Sequence, residues 1–298
     1  MKLALKIDVD TWRGTQQGVP RLVEILRRQR ADASFLFSLG PDHTGRAIKR
    51  AFRPGFMKKV QRTSVVSHYG IKTLMYGTLL PGPDIGRKGA DIMRSTREAG
   101  FEVAIHCWDH VKWQDGVEKA GATWTEIEMR RAHERFVDIF GDEAPGHGAA
   151  GWQMNVQALR LTQRLGYRWA SDCRGTHPFI PIWNGEIIAC PQLPTTLPTL
   201  DELLNRDGIT RDNIVQHILQ LTADAPATGH VFTLHAELEG GKLLPVFEQL
   251  LQGWQAQGYE LVSLRQYLQG LSTLPRHEVA LREIEGRVGT LAVAVEAL

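Results

Sequence analysis

The chain has 298 residues, 43% of them hydrophobic, and three widely separated cysteines, Cys107, Cys173 and Cys190; that is enough to bury one large core, and it excludes a disulfide framework or a thiolate zinc knuckle. No apolar run approaches the ~20 residues that cross a bilayer, and MKLAL passes straight into charged residues instead of a signal-peptide core, so neither a transmembrane segment nor export is expected. The formal charge of +2 hides an asymmetry, because ten Lys or Arg and one acid lie between His43 and Ala90, against twenty-five basic and thirty-two acidic residues elsewhere.

Leu3, Leu5, Ile7 and Val9 alternate with Ala4, Lys6, Asp8 and Asp10. This period-two pattern predicts a first strand with both aspartates on one face, their Cα atoms ~7 Å apart. "GVPRLVEILRRQR" follows with Val19, Leu22, Val23 and Leu26 at helical spacing, and "ADASFLFSLG" reads as a short strand covered on both faces. The basic segment 43–90 interrupts the pattern and is too long for an ordinary connection, which makes it a candidate functional element. Beyond it, "DIMRSTREAG" predicts a helix ended by Gly100 and "FEVAIH" a strand; "TEIEMRRAHERFVDIFG" is a helix closed by Gly141. "LRLTQRLG" then "YRWASD", "NIVQHILQLTADA" then "GHVFTLHAE", and "KLLPVFEQLLQGWQAQG" then "YELVSL" repeat the helix–strand unit. The repetition predicts an α/β fold with a parallel sheet closed in the manner of a barrel, one domain over residues 1–271. In the tail, 272–298, "EGRVG" between alternating runs predicts a terminal hairpin.

Ligands of such folds gather at the carboxyl ends of the strands. Polar residues at those ends are Asp8 and Asp10, His106 with His110 four residues on, Asp172, and His235. On a helical turn, His106 and His110 would face the same side and could hold one divalent ion. Eleven histidines make chance spacings common; position is what favours this pair, which directly follows a strand while a carboxylate pair ends another. A single aspartate there would read as a cap or turn residue, but a second brings like-charge repulsion that a cation between Asp10, His106 and His110 relieves. Three protein ligands and an open position fit a catalytic site, with Asp8 taking a proton from water and His235 protonating a leaving nitrogen. By itself His235 reads as a structural histidine at a strand end, and His147 as a loop residue.

The order Asp-x-Asp, His-x-x-x-His, a Pro-Gly loop, an Asp after a strand and a final Leu-His resembles the polysaccharide deacetylase family with the NodB homology domain. That resemblance implies a distorted (β/α) barrel and metal-dependent removal of N-acyl or O-acyl groups from sugars. It implies Asp8 as base, Asp10, His106 and His110 as metal ligands, and His235 as the group assisting departure; Zn²⁺, Co²⁺, Ni²⁺ or Mn²⁺ would suit such ligands. The backbone N–H groups around Gly146 and His147 stand where the family builds its oxyanion hole, and Asp172 matches the Asp after a strand. The family's third motif carries an Arg before its Pro that orients the base; "GDEAPGHGAAGW" has none, and Arg174 in "SDCRGTH" is the candidate to supply that charge.

Within the family, "KIDVDTWRGTQQGVPRLVEIL", "SFLFSLGPDHTGRA", "PGHGAAGWQMN", "SDCRGTHPF" and "LHAELEG", spread from Met1 to about Leu271, look like a branch acting on a formamido sugar carried by undecaprenyl phosphate. This implies a peripheral protein at the cytoplasmic face of a bacterial inner membrane, on the route to lipid A modification and polymyxin resistance. The basic segment then reads as an amphipathic element on anionic lipid, with Arg50, Phe52, Phe56, Lys58 and Lys59 facing the membrane and each surface-near Lys or Arg contributing ~1 kcal/mol. A helix packed on the barrel with a solvated basic face explains that segment as well; nucleic-acid binding fits it less, for want of stacking aromatics. Rivals stay open: a deacetylase, or a glycosidase with paired carboxylates, acting on another sugar on a similar barrel, and a basic membrane-binding module with a structural metal.

Overall fold

The computed structural model describes residues 1–47, 70–287 and 289–295. Arg50, Phe52, Phe56, Lys58 and Lys59 therefore lie outside the described residues. The strands are β1 (Lys2–Val9), β2 (Ser34–Ser38), β3 (Glu102–Cys107), β4 (Gly146–His147), β5 (Trp169–Ala170), β6 (Ile180–Trp183), β7 (Glu186–Ile187), β8 (His230–His235), β9 (Glu260–Val262), β10 (Arg276–Glu283) and β11 (Thr290–Val295). Seven form a curled sheet in the order β5-β4-β3-β2-β1-β8, with β9 on the start of β1. Every pairing in it is parallel.

Burial on both faces explains why these segments are strands. Leu3 to Val9 are buried without a break, as are all of β2 and β3. The outward side of β1, Leu3, Leu5, Ile7 and Val9, joins the main core with Leu22, Ile25 and Leu26 of the helix Val19–Gln29 and with Met93 and Phe136 of the helices Ile85–Glu98 and Ala122–Phe140. A separate, smaller cluster of Ala4, Leu36, Ala104, Trp169, Leu193, Val231 and Val262 fills the inside of the curl, stoppered by Leu264 and Tyr267 of the helix Leu264–Gln269. Along the inward face of β1 the residues run Ala4, Lys6, Asp8, so the interior turns from apolar to charged toward the carboxyl ends of the strands. That gradient places the chemistry at one mouth.

The barrel is distorted where β5 should meet β8. An irregular extended segment spans the gap, with the Leu193 N–H donating to the Ala170 carbonyl (2.7 Å) and the Thr196 N–H to the Val231 carbonyl (3.1 Å). The predicted strand "YRWASD" is correspondingly short, since Asp172 turns away to pair through its N–H with Gln192 Oε1 at 2.9 Å.

β10 and β11 pair antiparallel, and β10 continues in parallel onto β6, giving a second sheet in the order β11-β10-β6-β7. The hairpin docks by its backbone: the Arg174 N–H donates to the Ala292 carbonyl and the Ala294 N–H to the Arg174 carbonyl, both at 2.8 Å. Among the described residues no helix is long and apolar enough to cross a membrane.

Candidate active site

Parallel register sets Asp8 beside His235 on β8 and Leu36 on β2, and Asp10 lies just past the end of β1. His106 belongs to β3, whereas His110 opens the helix His110–Gly116, whose N-cap Asp109 accepts from the Lys112 N–H at 3.0 Å. The four-residue spacing is thus bridged by a strand-to-helix turn, not by the single helical turn that the spacing predicts. It still brings the rings together, with centroids 5.3 Å apart. Asp10 Oδ1 lies 3.2 Å from His106 Nε2 and Asp10 Oδ2 3.4 Å from His110 Nε2. One donor atom from each of the three residues falls within 4.8 Å of the others.

The donor set fits a divalent cation. His106 Nδ1 stands 2.7 Å from the Gly148 carbonyl, which can only accept, so Nδ1 carries the proton and Nε2 presents its lone pair toward Asp10. Asp10 Oδ1 is buried with no hydrogen-bond partner among the described residues. A lone pair facing a bare carboxylate oxygen is repulsive until a cation sits between them. Burial alone would raise the Asp10 carboxyl, but the neighbouring His110 imidazole, the largest of the opposing influences, works against it and Asp10 stays well below the usual carboxylate range. Three ligands leave coordination positions open, as catalytic sites require.

Asp8 is 3% exposed, with Oδ1 at 3.6 Å from His106 Nδ1 and Oδ2 at 3.2 Å from Lys6 Nζ. The cation against Asp8 is therefore Lys6, which corrects the expectation for Arg174. The Arg174 guanidinium is held by Glu202 Oε1 (2.7 Å) and the Leu197 carbonyl (3.2 Å), in an acidic cluster shared with Arg287. Lys6, Arg174 and Arg287 all lie over the Trp152 ring, at 5.2, 4.9 and 4.6 Å from its centroid.

His235 ends β8 with Nδ1 at 3.8 Å from Asp201 Oδ1, and Arg287 pairs with the same carboxylate. Burial pulls the imidazole down, but Asp201, Asp10 and Glu239 outweigh it and raise His235 above its ordinary value of 6.5. Two acids just beyond it, Glu237 and Glu239 in "LHAELEG", hold the site together; they lie past the end of β8, where neither strand end nor spacing marks them. Glu237 Oε1 accepts from Thr11 Oγ1 (2.6 Å), the Thr11 N–H (2.8 Å) and the Asp10 N–H (3.2 Å), clamping the end of β1 to that of β8. Glu239 Oε2 accepts from the His235 N–H at 2.8 Å. Burial pushes Glu237 up to about 8 and Glu239 up to about 7, so each is a neutral or half-neutral acid near pH 7.

Gly146, His147 and Asp172 flank the cluster. Asp172 Oδ1 accepts from His147 Nδ1 (2.7 Å) and the Ala149 N–H (2.8 Å), and the Gly148 N–H donates to the Ile105 carbonyl (2.9 Å). Asp172 thus shapes the turn after β4 without reaching the metal ligands. Gly146 is needed for close approach, since a Cβ there would lie 2.5 Å from the Trp169 ring.

No family model matches the chain. A Shewanella sediminis protein named "Probable 4-deoxy-4-formamido-L-arabinose-phosphoundecaprenol deformylase ArnD" is 39% identical over 292 residues, 98% of this chain and 94% of the relative. A Wigglesworthia glossinidia brevipalpis protein of the same name is 30% identical over 291 residues, 94% of this chain and 97% of the relative. A solved Mycobacterium smegmatis structure assigned as a polysaccharide deacetylase matches with a TM-score of 0.59 at 17% identity, over 92% of each chain. Fold and relatives together define a hydrolase built on the polysaccharide deacetylase barrel. More particularly, the chain belongs to the family of the 4-deoxy-4-formamido-L-arabinose-phosphoundecaprenol deformylases.

Proposed function

We propose that the protein hydrolyses the N-formyl group of undecaprenyl phosphate 4-deoxy-4-formamido-L-arabinose, releasing formate and the 4-amino-4-deoxy-L-arabinose lipid, with a divalent ion held by Asp10, His106 and His110. The observation that carries this reading is the Asp10–His106–His110 cluster beside the strand ends, with Asp10 and His106 buried and His110 half-buried, in a chain 39% identical to a named deformylase. Zn²⁺, Co²⁺, Ni²⁺ and Mn²⁺ all suit one carboxylate and two imidazoles. When bound, the ion supplies Lewis acidity for the carbonyl and the attacking water.

The chain's own groups move the protons. Asp8 accepts a proton as water oxygen bonds to the formyl carbon, a role supported by its Oδ1 being buried without a hydrogen-bond partner among the described residues. His235, raised by its acidic neighbours, gives a proton to the sugar nitrogen as the carbon–nitrogen bond breaks. The turn at Gly146 and His147 borders the place where negative charge develops on the carbonyl oxygen. The basic segment 43–90 meets the anionic surface of the inner membrane from the cytoplasmic side, where the lipid-linked sugar is presented, and the product amine serves lipid A modification and polymyxin resistance.

Product analysis tests the reading. Metal-loaded protein incubated with the formamidoarabinose lipid should release formate and leave the sugar on its carrier. Free sugar without formate would make it a glycosidase instead.

A further inference from the structure

A general base works only if its free lone pair is held at a fixed angle to the water it deprotonates, so something must anchor the Asp8 carboxylate. We propose that Lys6, on the same strand, is the positioning residue of that base; this rests on the reading of Asp8 given above.

Lys6 is fully buried, and a buried ammonium is tolerated only when its donors are matched. Its Nζ reaches Asp8 Oδ2 at 3.2 Å and the Ser171 carbonyl at 3.1 Å, and lies 5.2 Å from the centroid of the Trp152 ring. Each partner is fixed independently. Ser171 is pinned through its own N–H to the His147 carbonyl (2.7 Å), and Trp152 through Nε1 to Thr195 Oγ1 (3.0 Å). The stem is confined as well, because a Cβ on Gly148 would lie 2.9 Å from Lys6 Cε. Period-two geometry puts residues 6 and 8 on the same inward face, ~7 Å apart at Cα, a gap that a lysine side chain spans.

The consequence is an asymmetric carboxylate. Oδ2 is tied to Lys6, while Oδ1 has no hydrogen-bond partner among the described residues. One oxygen is the anchor and the other is left to accept a proton. Neither nearby arginine does this, since Arg174 and Arg287 are both paired with Glu202.

The test replaces Lys6 by Met in the full-length protein. Three quantities are compared with wild type: kcat and KM for formate release, the visible spectrum of Co²⁺ at the metal site, and the crystallographic position of Asp8. We expect kcat to fall by about 100-fold or more, with KM and the Co²⁺ spectrum unchanged, because the candidate metal ligands are Asp10, His106 and His110 and the role given to Lys6 is confined to the base. In an Asp8→Asn background the same replacement should cost nothing further. A folded Lys6→Met protein keeping kcat within about twofold of wild type, or equal losses in both backgrounds, overturns the inference. Should Lys6→Met not fold, Lys6→Gln carries the same comparison. If wild type releases no formate from the lipid, the proposed function fails separately. Lys6 is then judged on structure alone: an Asp8 carboxylate displaced from its place beside His106 supports the inference, and an unmoved one overturns it.

Discussion

Asp8 on β1 and Asp10 just past its end meet different neighbours, and their predicted roles follow from those neighbours. Asp10 lies between two imidazoles and Asp8 between a lysine and the edge of one imidazole. Asp8→Asn should keep the metal and lose turnover by about 10²–10⁴-fold, whereas Asp10→Asn should lower metal content after dialysis; metal analysis beside formate release separates the two. Loss of metal from Asp8→Asn would contradict the assignment of the base. Asp201 is the largest of the groups that raise His235 against its burial. As the proposed acid His235 acts in its protonated form, so Asp201→Asn should move the alkaline limb of the rate profile to lower pH; an unmoved limb would separate Asp201 from the acid. Asp8, Asp10, His106, His110 and His235 were legible because their residue types stand at strand ends. Lys6 was not, for in sequence it is one more polar position in an alternating strand, and the contacts of Asp201 and Arg287 join segments far apart in the chain, which local pattern does not connect.

At the scale of the elements, the alternation of β1 and the apolar runs of β2 and β3 were readable because burial writes itself into sequence at period two or as continuous hydrophobicity. The turn between His106 and His110 is not legible in the sequence, since spacing alone does not distinguish one helical turn from a strand running into a helix. The C-terminal hairpin was readable as a hairpin, but its partners were not. β10 pairs with β6 through His277 and Pro181, and Arg287 reaches Asp201 and Glu202, contacts far too distant in sequence for local pattern to encode. Arg287→Ala should cost about 2 kcal/mol in denaturant unfolding, less than a fully buried pair because the Arg287 and Asp201 side chains keep 14% and 18% exposure. An unchanged midpoint would make the hairpin a passive cover. Gly148→Ala should destabilise by ~1–3 kcal/mol, because the new Cβ would lie 2.3 Å from Leu36 Cδ2 inside the curl.

For the molecule as a whole, the sheet gathers the reactive groups at one mouth while positive charge collects in the segment from His43 to Ala90, ten basic residues against one acid. The proposed membrane role assigns catalysis to the sheet's mouth and docking to the basic segment. Replacing Arg50, Lys58 and Lys59 by Glu should release the protein from anionic vesicles in sedimentation while formate release from detergent-dispersed substrate persists; unaltered sedimentation would count against the membrane role. The central claim is narrower, that a divalent ion at Asp10, His106 and His110 enables amide hydrolysis on the sugar lipid. It is tested most directly by following formate from undecaprenyl phosphate 4-deoxy-4-formamido-L-arabinose with chelator-stripped protein before and after reloading with Zn²⁺, Co²⁺, Ni²⁺ or Mn²⁺. The account predicts no formate from the stripped protein and full conversion after reloading with at least one of these ions; undiminished formate release by the stripped protein would contradict it.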